Sequence, residues 1–376
     1  MRSLANYQAK LVQQRILMYK YEDIKAVHLE ITDKCNAACP QCERNVLGGK
    51  DNPFLPITEL SLEDIKNIFP KPFIKRLKRF YMCGNCGDPI IAQDTLEILK
   101  WIRELNDEVK LGIHTNGSAR TTEWWKELGS VLKSPHGYVK FGIDGLEDTN
   151  HIYRRRTNWQ KIIQNVKAFI GSGGNAHWHF IVFKHNEHQV ENARQLAEEI
   201  GFTHFQVKKT GRFFSNTTMS GRDKQEVLDI QGNLEYFLEK TEEPQYQNTS
   251  LEKEEQLKNK HGNLDRYLDR SKINCKVANE KSIYISSEGL VFPCCWTANQ
   301  MYLWYNRNTQ INKMLEQNGG KEQINAKTKS VKEIVNGNFF RSIAGSWQKP
   351  SCSDGKLKVC AKMCGMEFDP FKDQFK

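Results

Sequence analysis

The chain has 376 residues, 39% of them hydrophobic and 10% aromatic, enough for one large α/β domain and a smaller one around a buried core; a disordered chain is excluded. No apolar run is long enough to span a bilayer, and the first 25 residues lack the apolar core and cleavage site of a signal peptide, so a cytoplasmic protein with no membrane partner is expected. The net charge of +10, from 55 Lys+Arg against 45 Asp+Glu, is spread in short runs such as 71–79 and 153–156; it reads as solvated surface, and nucleic acid is not expected as a partner.

Residues 1–24 read as a helical extension. From 25 to 215, short runs rich in β-branched and aromatic residues alternate with helical spacing. The strand-like runs are 25–31, 79–84, 110–116, 138–144, 177–183 and 203–209; helical patterns fall at 94–106, 159–170 and 190–200. Gly171 and Gly201 stand where helix C-caps are expected. Six βα repeats predict a parallel sheet with outer helices, open or part of a barrel, with the chemistry on loops at the strand C-terminal ends. In the run HWHF, His177 and His179 share one face and read as interior or packing residues. Residues 216–272 are charged and polar and read as an exposed helical insertion or linker. Residues 273–376 regain Cys, Trp, Tyr and Phe and read as a small cysteine-dependent domain. There SIYISSEGLVFPC predicts a hairpin turning at Glu288-Gly289.

Eleven cysteines, an odd number without a secretory signal, point to metal or redox use rather than disulfides. They are grouped at 35–42, 83–86, 275, 294–295 and 352–364. Residues 32–42 read TDKCNAACPQC, a C-x3-C-x2-C loop directly after the first strand. Three thiolates on one loop can hold three corners of a cubane cluster and leave the fourth iron without a protein ligand. A structural zinc site would need a fourth ligand, and none is placed nearby.

This loop resembles that of the radical S-adenosylmethionine (SAM) superfamily, and three later segments match in order: CGNCGDPII (83–91), HTNG (114–117) and FGIDGLEDTNHIYRRR (141–156). The resemblance implies a partial (β/α)6 TIM-like barrel over residues 25–215. It implies a [4Fe–4S] cluster on Cys35, Cys39 and Cys42 whose open iron binds SAM, with an external electron donor such as a flavodoxin or ferredoxin. Gly87, Asp88, Thr115, Asn116 and Asp144 are the expected SAM contacts. Cys83 and Cys86 read as packing or substrate-side residues rather than a redox pair.

The C-x13-G-x4-C spacing of Cys275, Gly289 and Cys294, followed by Cys352, Cys360 and Cys364, is similar to the SPASM/Twitch auxiliary-cluster domain. It implies one auxiliary [4Fe–4S] cluster in a small C-terminal domain of β-hairpin plus helix, held by Cys275, Cys294, Cys360 and Cys364, with Cys352 as the alternative ligand. Cys295 is expected to point away from Cys294. Three functions follow. The first is radical modification of a peptide or protein side chain. The second is radical oxidation or rearrangement of a small molecule such as a sugar, alcohol or nucleotide. The third is a non-catalytic iron–sulfur protein that binds a macromolecule. Roughly two dozen residues precede the first strand, and no separate leader-recognition domain is expected there. Lys184, His185, Lys208, Lys209 and Arg212 follow the later strands; they suit an anionic substrate group or the SAM carboxylate, and each singly also reads as a solvated loop residue.

Overall fold

A computed structural model describes residues 18–214 and 223–370. Most of the expected N-terminal extension lies outside them. Eight strands form one sheet in the order β10-β9-β1-β2-β3-β4-β5-β6. Strands β1 (Ala26–Leu29), β2 (Arg79–Met82), β3 (Lys110–Thr115), β4 (Gly137–Gly142), β5 (Ala176–Val182) and β6 (His204–Lys209) run parallel, each beside the next. This is the expected partial barrel, with β6 as one edge. The C-terminal hairpin continues the same sheet. Strand β9 (Ser282–Ile285) pairs parallel with the free side of β1, and β10 (Val291–Phe292) pairs antiparallel with β9. Gly289 makes the turn at φ +87°, a conformation that suits glycine.

The sheet has two unlike faces. Val27, Leu29, Phe80, Met82, Leu111, Ile113, Val139, Phe141, Trp178 and Phe180 are fully buried under the outer helices. Helices Thr95–Leu105, Thr122–Val131, Trp159–Gly171 and Val190–Ile200 cover that face with one apolar side each. The alternate residues are polar or aromatic: His28, Tyr81, His114, Tyr138, Lys140, His177 and His179. A parallel sheet covered on both sides would be apolar throughout. The alternation marks a sheet curled around a polar interior.

Gly201 caps its helix in the left-handed region at φ +97°. Gly171 instead closes the last turn of its helix, and Gly173 takes the left-handed conformation at φ +90°. Within 216–272, the described part is α-helical only from Ser250 onward, as Ser250–His261 and Leu264–Arg270, after a single 3-10 turn at Pro244–Tyr246. Ahead of these lies a two-stranded antiparallel ribbon, β7 (Lys224–Leu228) with β8 (Leu234–Glu239). Buried Val227 and Leu238 explain the ribbon: they alternate with charged residues and pack on Ala37, Cys39, Tyr153 and Phe213. Among the described residues, no helix is long and apolar enough to cross a membrane.

Candidate functional site

The loop after β1 is fixed before its cysteines begin. The buried Asp33 carboxylate accepts the backbone N–H groups of Thr58 (2.6 Å) and Ile57 (3.1 Å), and the Arg44 guanidinium donates to the Asp33 carbonyl (2.5 Å). Cys35, Cys39 and Cys42 then open onto one cavity of about 610 Å³ at the C-terminal ends of the strands. N–H donors are aimed at two of the sulfurs. The Ala37 amide lies 3.3 Å from the Cys35 sulfur, Asn116 Nδ2 lies 3.9 Å from it, and Arg154 Nη1 lies 3.7 Å from that of Cys39. Burial pushes all three thiols up, Cys39 to about 11. Thiols in such surroundings ionise when a metal takes the proton's place. Among the described residues, no three His, Cys, Asp or Glu side chains converge on a single ion. A cubane asks for a different donor set, since each thiolate binds its own iron.

Gly87, Asp88, Thr115 and Asn116 line the same cavity. A Cβ on Gly87 would sit 1.8 Å from the Thr32 carbonyl oxygen, so the 83–88 loop lies directly on the cysteine loop. Asp88 is buried, and Asn116 donates to it through its backbone N–H (2.8 Å) and its side-chain Nδ2 (2.7 Å). Asn116 Nδ2 also reaches the Asn36 side chain at 2.9 Å. The segments at 36, 88 and 116 are thus knotted together beside the Cys35 sulfur.

Asp144 is placed otherwise than expected. It is fully buried and does not line the cavity. Its carboxylate is used up by the Arg154 Nε (2.6 Å) and the Ile181 backbone N–H (2.6 Å). The group that reaches the cavity is Arg154, for which Gly142 leaves room: a Cβ there would meet the guanidinium at 2.3 Å. Asp144→Ala should strand this guanidinium without its counter-ion. The expected loss of stability is about 3 kcal/mol by chemical denaturation, with Asp144→Glu recovering part of it.

Sequence reasoning also passed over Glu30. Its buried carboxylate accepts the N–H groups of Cys86 (2.6 Å) and Gly87 (3.1 Å) and the Tyr284 hydroxyl. It therefore ties β1, the 83–88 loop and β9 together. A Glu closing an apolar strand was the one available signal. Burial raises its carboxyl from 4.5 to about 7, against the lowering effect of these bonds. The folded chain then holds a proton there that the unfolded chain has released between those pH values, so this group's contribution falls as pH rises from 4.5 to 7. Unfolding curves of wild type against Glu30→Gln should diverge over that window by up to about 3 kcal/mol, the wild type losing ground as pH rises.

Four of the five C-terminal candidates come together. Cys275, Cys294, Cys360 and Cys364 line a small apolar pocket with Trp296 and Trp347, and the Cys275 and Cys364 thiols share a hydrogen bond. Cys352 lies outside it, its amide donating to Asp269 (2.6 Å) and its side chain packed with Tyr267 and Leu268. Cys295 turns away from Cys294 into the main cavity because it begins helix Cys295–Asn299; β10 has already ended at Phe292. Cys83 and Cys86 line the main cavity too. Of the basic candidates, Lys208 and Arg212 line it, whereas Lys184 pairs at the surface with Glu239 (3.3 Å) and Glu242 (2.7 Å), and His185 stacks on Phe183.

A cysteine loop after β1, its sulfurs facing the strand-end cavity of a partial barrel, defines the radical SAM class of enzyme. Residues 29–197 match the Radical SAM superfamily, so that part of the chain carries a radical SAM domain. The chain is 28% identical over 149 residues to a GTP 3',8-cyclase of Staphylococcus carnosus (strain TM300), covering 39% of each. It is 23% identical over 156 residues to that of Staphylococcus saprophyticus subsp. saprophyticus, covering 40% of this chain and 43% of that one. It thus spans less than half the length of these curated relatives. Its fold resembles that of Streptococcus suis SuiB bound to precursor peptide SuiA (15% identity, TM-score 0.50, 96% of this chain and 80% of that one). It also resembles anSMEcpe with bound AdoMet (15% identity, TM-score 0.51, 94% and 88%). At 96% and 94% coverage, both likenesses of fold extend over most of this chain, its C-terminal part included.

Proposed function

We propose that this radical SAM enzyme removes a hydrogen atom from a peptide or protein side chain presented at the barrel mouth. Cys35, Cys39 and Cys42 would hold the cluster, and Cys275, Cys294, Cys360 and Cys364 an auxiliary one. When bound, a [4Fe–4S] cluster with one iron free of protein ligands takes up SAM and, once reduced by an external donor, supplies a 5'-deoxyadenosyl radical. The observation that carries the reading is the shared cavity: three loop cysteines face the same space as Gly87, Asp88, Thr115 and Asn116. In it Asn116 braces Asp88, Arg154 stands beside the Cys39 sulfur, and Gly87 brings the 83–88 backbone onto the cysteine loop.

The cavity volume of about 610 Å³ and the fold shared with a peptide-bound structure support a side-chain substrate. A small anionic molecule is the second reading, favoured by the lysines and imidazoles inside the cavity. Anaerobic incubation with SAM, dithionite and deuterated candidates tests both. Deuterium should move into 5'-deoxyadenosine from the true substrate. Absence of any SAM cleavage by the fully reconstituted chain would overturn the reading.

A further inference from the structure

Behind the cysteine loop, the inner wall of the cavity carries charge on strands rather than on loops. His114 on β3 stands beside Lys140 on β4, and Lys140 beside His177 on β5. Further along, His179 on β5 pairs with Gln206 on β6, and Ile181 with Lys208. His114, Lys140, His179 and Lys208 all line the cavity, together with Cys83. The strands of His114, Lys140 and His179 are held by the ladder on both sides and that of Lys208, at the sheet edge, on one, so the strands fix where these groups start.

Their electrostatics are one-sided. Lys140 forms no ion pair with a carboxylate among the described residues; Lys110 and Arg79 repel it, and the group drawing it is the Cys83 thiol. That thiol is itself kept neutral by burial, which pushes it up to about 11. Burial lowers Lys208 to about 8, with Arg154 and Lys140 adding repulsion while Asp144 opposes the shift. Burial and the same lysines keep His114 and His179 neutral. The acids that line the cavity lie elsewhere: Asp88 is engaged by Asn116, Glu254 faces Lys362 (3.7 Å), and Glu43 sits on the cysteine loop. Two ammonium groups and two neutral imidazoles in a half-enclosed space favour the entry of negative charge.

We infer that this inner wall is an oxyanion site, in which Lys140 and Lys208 bind a carboxylate or phosphate group of the substrate while His114 and His179 donate or accept the remaining hydrogen bonds. The inference rests on the reading that this cavity admits the substrate. It narrows the substrate to molecules, or side chains, that carry such a group a short distance from the carbon that loses hydrogen. Charge-assisted hydrogen bonds of this kind set orientation as well as affinity.

The test is calorimetric and needs no turnover. Oxidised, fully reconstituted protein is titrated with inorganic phosphate and with succinate, each with and without saturating SAM. At least one anion should saturate at one site per chain, with or without SAM. Lys140→Met and Lys208→Met should each weaken it about tenfold or more. Lys140→Arg should retain binding, and Lys66→Met, on an exposed helix face, should leave it unchanged. Preference for phosphate points to a phosphorylated small molecule, and preference for succinate to an acidic side chain or carboxylate metabolite. The inference fails if neither anion saturates, if the methionine variants, folded by circular dichroism, bind as wild type does, or if SAM displaces the anion and so claims the site for its own carboxylate. SAM cleavage, measured on the same preparation after reduction, reports separately on the enzyme reading.

Discussion

Replacing Cys39 with alanine should lower SAM cleavage by more than about 100-fold and remove the cluster's visible absorbance. The expectation follows from where the sulfur stands. Cys39 is buried beside Ala37, Tyr153 and Phe183, and its sulfur meets Arg154 at the wall of the cavity. The three thiols come from one short loop held at its base by Asp33 and Arg44, and no fourth cysteine of that loop can replace the lost one. Arg154 would then lose the sulfur it faces and keep Asp144 and the Tyr153 ring. Cys86→Ala separates the ligand role from packing: Cys86 is also buried and also lines the cavity, yet it should retain cluster absorbance and SAM cleavage. Iron content and 5'-deoxyadenosine release by the two variants check this, and loss of both in Cys86→Ala would move the ligand set.

Gly87→Ala should be nearly as damaging without touching a cysteine. Its new Cβ would lie 1.8 Å from the Thr32 oxygen and 2.9 Å from the Asp33 Cα, both backbone atoms of the cysteine loop. Neither can swing aside as a side chain can, so one loop must leave the other. That movement pulls Gly87 and Cys86 off Glu30 and shifts Asp88 away from Asn116. The cost of such overpacking is about 1–3 kcal/mol in stability. SAM affinity, read by equilibrium binding, should fall more than about tenfold because the residues beside the cysteine loop move together. Gly171→Ala is the matched control. An added Cβ there meets nothing within 4 Å, so stability should stay within about 0.5 kcal/mol.

The barrel was legible because each of its strands is a short β-branched or aromatic run and each intervening helix shows its own period. The C-x3-C-x2-C loop was legible because the ligands are adjacent in sequence. Asp144 shows the limit. A strand-end Asp looks the same whether it faces a ligand or an arginine ten residues on, and only the fold showed Arg154 turning back onto it. Glu30 was hidden for a similar reason, since its partners at 86, 87 and 284 come from segments distant in sequence. The ribbon 224–239 was read as helical because its many charges mask a two-residue alternation carried by Gln225, Val227 and Leu238, whose burial no local pattern reports. Lys140 and His114 were passed over because they lie within strands, where polar residues read as interruptions until the sheet curls and gives them a common interior.

The whole account depends on an iron that the chain leaves open for SAM. Electron paramagnetic resonance of the dithionite-reduced, reconstituted Cys294→Ala variant, recorded before and after adding SAM, tests this most directly, because the first cluster's signal is then seen with the auxiliary site disrupted. The account predicts a reduced [4Fe–4S] signal whose g-values shift when SAM is added. A cubane signal that is identical with and without SAM, or protein that binds zinc and no iron, would contradict it.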